Sequence, residues 1–156
     1  MKQLNIEVVT YQEQYQEIQN IRERAFQEQQ GIIPELQDDH LDSTSMHLLA
    51  YLDIKPVGTV RIKDIQTHTA KIEKLAILPE LETHNIALTI IQTALEIIKI
   101  NDFETVLVLD RANRLTFYQE LGFGQSGNTF QKLGIAYIKM VKQLKRLEDI
   151  DRQEAN

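Results

Sequence analysis

The chain contains no cysteine, which excludes a disulfide framework, a thiolate nucleophile and a cysteine metal site. No apolar run is long enough to span a bilayer. The opening segment Met-Lys-Gln-Leu-Asn-Ile lacks the apolar centre of a secretory leader. The expectation is a cytoplasmic protein with no membrane partner. Excess positive charge is missing too: 17 Lys and Arg stand against 23 Asp and Glu, a formal charge of -6. Without a basic face a nucleic-acid partner is not expected, whereas an acidic balance suits a cationic ligand such as an amine. The four histidines, His40, His47, His68 and His84, have no ligand spacing with one another, so no metal is expected. Internal repeats, low-complexity tracts and linkers are absent as well.

What remains is one globular domain: 156 residues, 42% of them hydrophobic, suffice for a core of useful size. Asn5 to Val9 is β-prone. Tyr11, Tyr15, Ile18, Ile21, Ala25 and Phe26 recur at helical spacing up to Gly31, and a polar, acidic stretch follows from Pro34 to Ser45. His47 to Asp53 and Val57 to Ile65 read as strands joined by a turn at Asp53-Ile-Lys-Pro56. Ala70 to Leu78 is a third strand after the turn at Gln66–Thr69. Ile86 to Ile100 is apolar around most of its circumference and predicts a deeply packed helix. Thr105 to Leu109 is almost wholly apolar, as suits a central strand. Asn113 to Leu121 predicts a short helix closed by Gly122, and Ile135 to Leu144 a last strand. The resulting order is β-α-β-β-β-α-β-α-β, a mixed α/β (α+β) fold over residues 1–144. The charged tail 145–156 is expected to fray.

The stretch Glu73 to Ala87 carries the most chemistry. It predicts a strand, a break at Pro79, and a helix whose first turn presents Asn85 and Ala87. A helix start facing a strand end is a common place for a phosphate-bearing cofactor. Asn85 is the non-glycine residue type best suited to a positive φ there.

The element order, together with Ile21-Arg-Glu-Arg-Ala-Phe26, Glu35-Leu-Gln-Asp-Asp-His-Leu-Asp42, His47-Leu-Leu-Ala-Tyr51, Pro56-Val-Gly-Thr-Val-Arg61 and Phe117-Tyr-Gln-Glu-Leu-Gly-Phe123, resembles the GNAT superfamily of acyl-CoA-dependent N-acyltransferases. Gly127, Phe130, Gly134, Ile135 and Met140 extend the likeness through the last strand pair. The resemblance covers roughly Ile6 to Leu144. It implies a mixed central sheet with a β-meander, a long helix on the cofactor side, acetyl-CoA as co-substrate, and direct attack of a small-molecule or peptide amine on the thioester. A homodimer or a protein partner at the open sheet edge is compatible with it.

The resemblance also implies site residues. Leu75, Ala76 and Ile77 would run beside the cofactor, and Thr83, His84, Asn85, Ile86 and Ala87 would offer amides to its pyrophosphate. Tyr118 would give a proton to the departing thiolate, and Glu73 would take the amine proton through water. Arg111 and Arg114 stand where the family more often has a polar amide and a small residue; apart from the resemblance, two guanidinium groups at a helix start bordering the cleft would grip a CoA phosphate from the other side. Asp39 and Asp42 would draw a cationic acceptor to its mouth. Each position has a plainer reading. Glu82 and Thr83 suit an ordinary helix start, and Phe117 and Tyr118 suit packing on the sheet. Glu73 suits a pair with Lys71 or Lys74, the two aspartates a solvated loop, and the two arginines the surface. Glu82, where the family has a cationic or neutral polar residue, sets two functions side by side: an N-acyltransferase, or a non-catalytic protein of the same fold that binds a partner.

Overall fold

The computed structural model describes residues 2–27, 32–82 and 85–144. Helix α1 (Tyr11–Ala25) follows strand β1 (Leu4–Val9), and the Thr10 hydroxyl caps it by accepting the Glu13 N–H. Its last turn closes on Phe26, so Gly31, expected to end it, lies outside the described residues. Three antiparallel strands form the meander: β2 (Met46–Leu52), β3 (Lys55–Gln66) and β4 (Thr69–Ile77). Helix α2 (Ile86–Ile100) has the expected bounds. Strand β5 (Thr105–Arg111), a short 3-10 turn at Ala112–Arg114, and helix α3 (Leu115–Glu120) come next. Two strands that the pattern does not show, β6 (Gly124–Gln125) and β7 (Phe130–Lys132), pair with β8 (Ile135–Gln143).

The sheet order is β1-β2-β3-β4-β5-β8-β6, with β7 also on β8. Strands β4 and β5 are parallel neighbours, paired only from Thr69↔Thr105 to Ile72↔Val108. Beyond that both continue without pairing each other, to Ile77 and Arg111, and so they fork. A bulge in β4 accompanies the fork. Between Thr59↔Ala76 and Arg61↔Glu73, three steps on β4 match two on β3, and Lys74 sits there with φ 57°. An extra residue bends a strand and raises its twist.

The helices cover opposite faces. On β3 alternate residues point to alternate sides. Gly58 meets Ile86 and Ile90 of α2, while Arg61 shares Asp42 with Arg22 of α1. Ile90, Ile91 and Ala94 are fully buried; each isoleucine contributes roughly 1.5–3 kcal/mol. Gly58 is what lets α2 sit so close. A Cβ there would lie 2.8 Å from the Cδ1 atoms of Ile77 and Ile90, both buried and without room to swing. Gly58→Ala is therefore expected to lower stability by about 1–3 kcal/mol, read from the midpoint of urea unfolding. An unchanged midpoint would show that the helix can shift.

Candidate functional site

Two cavities open at the fork. The larger, about 390 Å³, lies between Ile77 of β4, Asn85, Ala87 and Leu88 at the start of α2, Asp110 and Arg111 at the end of β5, and Arg114 and Phe117. Phe26 and Ala25 close its far wall. The smaller, about 170 Å³, is lined by Pro34, Glu35, Gln37, Asp38, Asp39, Arg61, Glu73, Lys74, Leu75, Leu109, Lys132 and Tyr137, with Asp110 again. Among the described lining residues, Asp110 is common to both.

The start of α2 has a particular local form. Asn85 adopts φ 57° and ψ 20°, the left-handed conformation expected of it, and its side chain makes no capping bond. Among the described residues no side chain accepts from the first-turn amides. Ala87 adds only a methyl to the cavity wall. Glu82 does not fill the space: its side chain is 55% exposed and lies 3.7 Å from Arg114 across the opening. Thr83 and His84, expected to contribute amides here, lie outside the described residues.

Arg114 faces the larger cavity with Glu82 and Asp110 each at 3.7 Å. Arg111 is placed differently. Its guanidinium donates two hydrogen bonds of 2.8 Å to Glu35 and lies over the Phe26 ring, 4.8 Å from the centroid. Burial alone would raise the Glu35 carboxyl, but the Arg111 bonds hold it below its ordinary range. Two of its three nitrogens are thus engaged by Glu35, while the residue still lines the larger cavity. The Arg111–Glu35 pair straps the segment after α1 to the end of β5.

The acidic loop is engaged likewise. Asp39 and Asp42 belong to an ion cluster centred on Arg61, which is 1% exposed. Arg61 donates to Asp39 at 2.9 and 2.6 Å, to Asp42 at 3.1 Å and to Glu73 at 3.0 Å. Asp42 also takes two bonds from Arg22, of 2.9 and 3.1 Å, and its carbonyl meets His47 Nε2 at 2.8 Å. The Arg61 bonds depress the Asp39 carboxyl despite its partial burial. Asp42 is depressed as well, its burial outweighed by Arg22, Lys74 and Arg61. Both carboxylates brace the site, and Asp39 also lines the smaller cavity.

Glu73 lines the smaller cavity, yet Lys63 at 3.2 Å and Lys71 at 3.3 Å join Arg61 around it. Burial would raise its carboxyl, but these cations hold it below the ordinary range. A carboxylate made more acidic is a weaker base, and both of its oxygens are engaged. The pairing with Lys71 is the plainer reading of the sequence. Leu75 lines the smaller cavity and Ile77 the larger, while Ala76 is buried and borders neither.

Tyr118 is fully buried and forms part of neither cavity's lining. Its ring meets Phe117 and Phe123 edge-on, at centroid distances of 5.0 and 5.6 Å. Its hydroxyl donates to Asp110 Oδ2 at 2.6 Å. Burial first, and the Asp110 charge second, push the phenol well above its ordinary pKa, which makes it a poorer acid. The sequence reading missed Asp110, Arg22, Arg61 and the Glu35 partner of Arg111. The usable signals were Asp110, the one acidic residue near the end of the apolar strand β5, and Arg61, the one charged residue between Val57 and Ile62.

Among the described residues no helix is long and apolar enough to cross a membrane, and no group of three or more His, Asp or Glu side chains can hold a metal ion. Residues 9–144 match the sequence model of a family described as an acetyltransferase (GNAT) domain. YyaT of Bacillus subtilis (strain 168), described as an uncharacterized protein, is 30% identical over 146 residues, covering 92% of this chain and 98% of YyaT. An acyl-CoA N-acyltransferase from Pseudomonas aeruginosa shares the fold with a TM-score of 0.74 at 19% identity, over 90% of this chain and 99% of its own. PaiA N-acetyltransferase from Thermoplasma acidophilum, solved in complex with coenzyme A, gives a TM-score of 0.67 at 16% identity, over 91% and 99% of the two chains.

Proposed function

The chain belongs to the GNAT acetyltransferase family, and from that premise we propose that it transfers an acetyl group from acetyl-CoA to a primary amine by direct attack. The observation that carries this reading is the open cavity at the first turn of α2, where the Asn85 side chain makes no capping bond, with Arg114 facing it. Amides of Ile86 and Ala87 are donors for a diphosphate there, aided by the positive end of the helix dipole. Thr83 and His84 join them in this proposal through the family resemblance. Arg114 supplies the cation that the Glu82 position does not. The departure at Glu82 costs little, because an exposed carboxylate 3.7 Å from a guanidinium is largely offset and screened.

The cofactor's arm would pass Ile77 toward the fork, and the acyl carbon would come to rest where the two cavities meet, near Asp110. The amine would enter through the smaller cavity, past Glu35, Asp39 and Lys74. Holding both reactants in one fork is the larger part of the rate gain expected of such a site.

Calorimetry and thermal shift with acetyl-CoA test the reading. Ligand at a hundred times its dissociation constant is expected to stabilise the protein by about 2.7 kcal/mol. Absence of any response to acetyl-CoA would overturn it in favour of the non-catalytic alternative. Turnover is then followed by thiol release over a panel of amines, and a chain with no cysteine adds no thiol background of its own.

A further inference from the structure

We propose that Asp110 takes the proton from the acceptor ammonium, and that Tyr118 is the residue that positions it. This rests on the acyl-transfer reading above and deepens it at the same site. Three observations carry it.

The first is location. Asp110 is the described residue shared by the linings of both cavities, so its carboxyl stands where donor and acceptor would meet. Tyr118 borders neither cavity; Phe117 of the same helix faces the larger one.

The second is weaker ion pairing than that of its neighbours. Of the other carboxylates in the smaller cavity, Glu35 is bound by Arg111, and Asp39 and Glu73 by Arg61. Asp38 lies on the exposed loop, bonded to the His40 N–H. The nearest ion-pair contact of Asp110 is Arg114 Nε at 3.7 Å.

The third is the hydrogen-bond pattern. Oδ2 accepts the Tyr118 hydroxyl at 2.6 Å and Oδ1 accepts the Arg111 N–H at 2.7 Å. Two donors fix the plane of the carboxyl and leave each oxygen a further acceptor position. Tyr118 has one proton to donate and gives it to Asp110. Protonating a sulfur in the cavity would require that bond to break.

The charges around Asp110 set its basicity. Burial raises its pKa, Arg114 and the Tyr118 bond lower it, and Glu35 raises it; the net shift is upward. Across the smaller cavity stand Arg61 with its partners Glu73 and Asp39, then Lys74. Lys132 and Tyr137 close that cavity on the β7–β8 side, with Asp38 on the loop, and Glu82 faces Asp110 across the larger one. A buried carboxylate with a raised pKa is a better base than Glu73.

The step balances. One N–H bond of the ammonium breaks and its proton passes to Asp110, leaving the nitrogen lone pair. That pair forms the N–C bond at the thioester carbonyl, and the C–S bond breaks with its electrons on sulfur. The second nitrogen proton ends on the thiolate, and Asp110 later releases its own proton to solvent. The products are the amide, the free thiol of coenzyme A and one proton.

The test compares the unmodified chain with Asp110→Asn and Tyr118→Phe. Thiol release from acetyl-CoA is measured between pH 5 and 9 with spermidine, tryptamine, glycinamide and a short peptide as amines. Asp110→Asn is expected to lower kcat/KM at least about 100-fold, with calorimetric affinity for acetyl-CoA kept within about threefold. Tyr118→Phe removes a bond that favours the carboxylate, so the acidic limb of the pH profile moves to higher pH while the rate falls less than about tenfold.

A rate unchanged in Asp110→Asn overturns the proposal. So does a Tyr118→Phe variant that loses as much rate as Asp110→Asn, with the acidic limb unmoved and the alkaline limb gone. A carbon-13 titration of aspartate-labelled protein decides the matter without turnover. The resonance missing in Asp110→Asn is expected to titrate above the ordinary aspartate value, and higher still in Tyr118→Phe. A midpoint at or below the ordinary value, or one that Tyr118→Phe leaves in place, overturns it whether or not any of the amines is acetylated. Lack of acetyl-CoA binding would remove the transfer reading itself. Binding with unimpaired turnover in Asp110→Asn would remove this proposal alone.

Discussion

Arg61→Ala is expected to lower the unfolding free energy at pH 7 by about 3–5 kcal/mol, the cost of leaving buried charge uncompensated. The arginine is almost wholly buried and bonds to Asp39, Asp42 and Glu73. Among the described residues its removal leaves Glu73 with Lys63 and Lys71, Asp42 with Arg22, and Asp39 with Lys74 at 3.9 Å as its cationic partner. For a domain whose total stability lies in the usual range of about 5–15 kcal/mol, that is a large fraction. The pH dependence has a definite sign. The three carboxyls are depressed in the folded protein, so their contribution is full above the unfolded values and fades as pH falls through the folded ones. Without the guanidinium their folded values rise, and protonation relieves the repulsion. The deficit of Arg61→Ala should therefore narrow between pH 7 and about pH 4. Urea denaturation at the two pH values reads it. A loss under about 1 kcal/mol at neutral pH would mean that water or the lysines replace the guanidinium fully. Arg61→Lys should recover only part of the loss, since one ammonium cannot reproduce the forked donor set.

Ala87→Glu is expected to abolish acetyl-CoA binding while leaving the free protein at least as stable. Ala87 sits in the first turn of α2 and borders the larger cavity. A carboxylate there meets the positive end of the helix, an interaction worth roughly 0.3–1 kcal/mol in the unliganded fold. Toward a bound diphosphate the same charge is repulsive, by about 4 kcal/mol per charge pair at 4 Å and an effective dielectric of 20. Even half of that weakens binding by more than about tenfold, and the full amount by about a thousandfold. Thermal unfolding of the free variant and calorimetry with acetyl-CoA separate the two effects. Binding within threefold of the unmodified chain would show that the coenzyme does not lie on this turn.

The elements with their own pattern were legible in the sequence. Helix α2 is apolar around most of its circumference, and its bounds, Ile86–Ile100, match that pattern, while the meander strands are apolar runs separated by polar turn residues. Strands β6 and β7, two and three residues long, carry no periodicity, because only their pairing with β8 makes them strands. Helix α3 begins at Leu115, not Asn113, because Ala112–Arg114 forms a tighter 3-10 turn, a distinction that periodicity does not report.

The site was legible in part. Asn85 and Ala87 announce a close approach by residue type. The destinations of Arg61, Arg111 and Tyr118 do not, since each is set by a partner elsewhere in the chain: Asp39, Glu35 and Asp110. A polar loop such as 38–42 reads as solvated until the guanidinium that binds it is brought alongside by the fold.

The knot around Arg61 joins residues separated by 12 to 22 positions along the chain. Loops of that span close at an entropic cost that is recovered only once the meander and α1 are in place. Contacts that wait on α1 and the meander are expected to be absent from the transition state, so that their strength would govern how slowly the native state opens more than how quickly it is reached. Removal of either buried arginine is thus expected to shorten the lifetime of the molecule more than it slows its assembly.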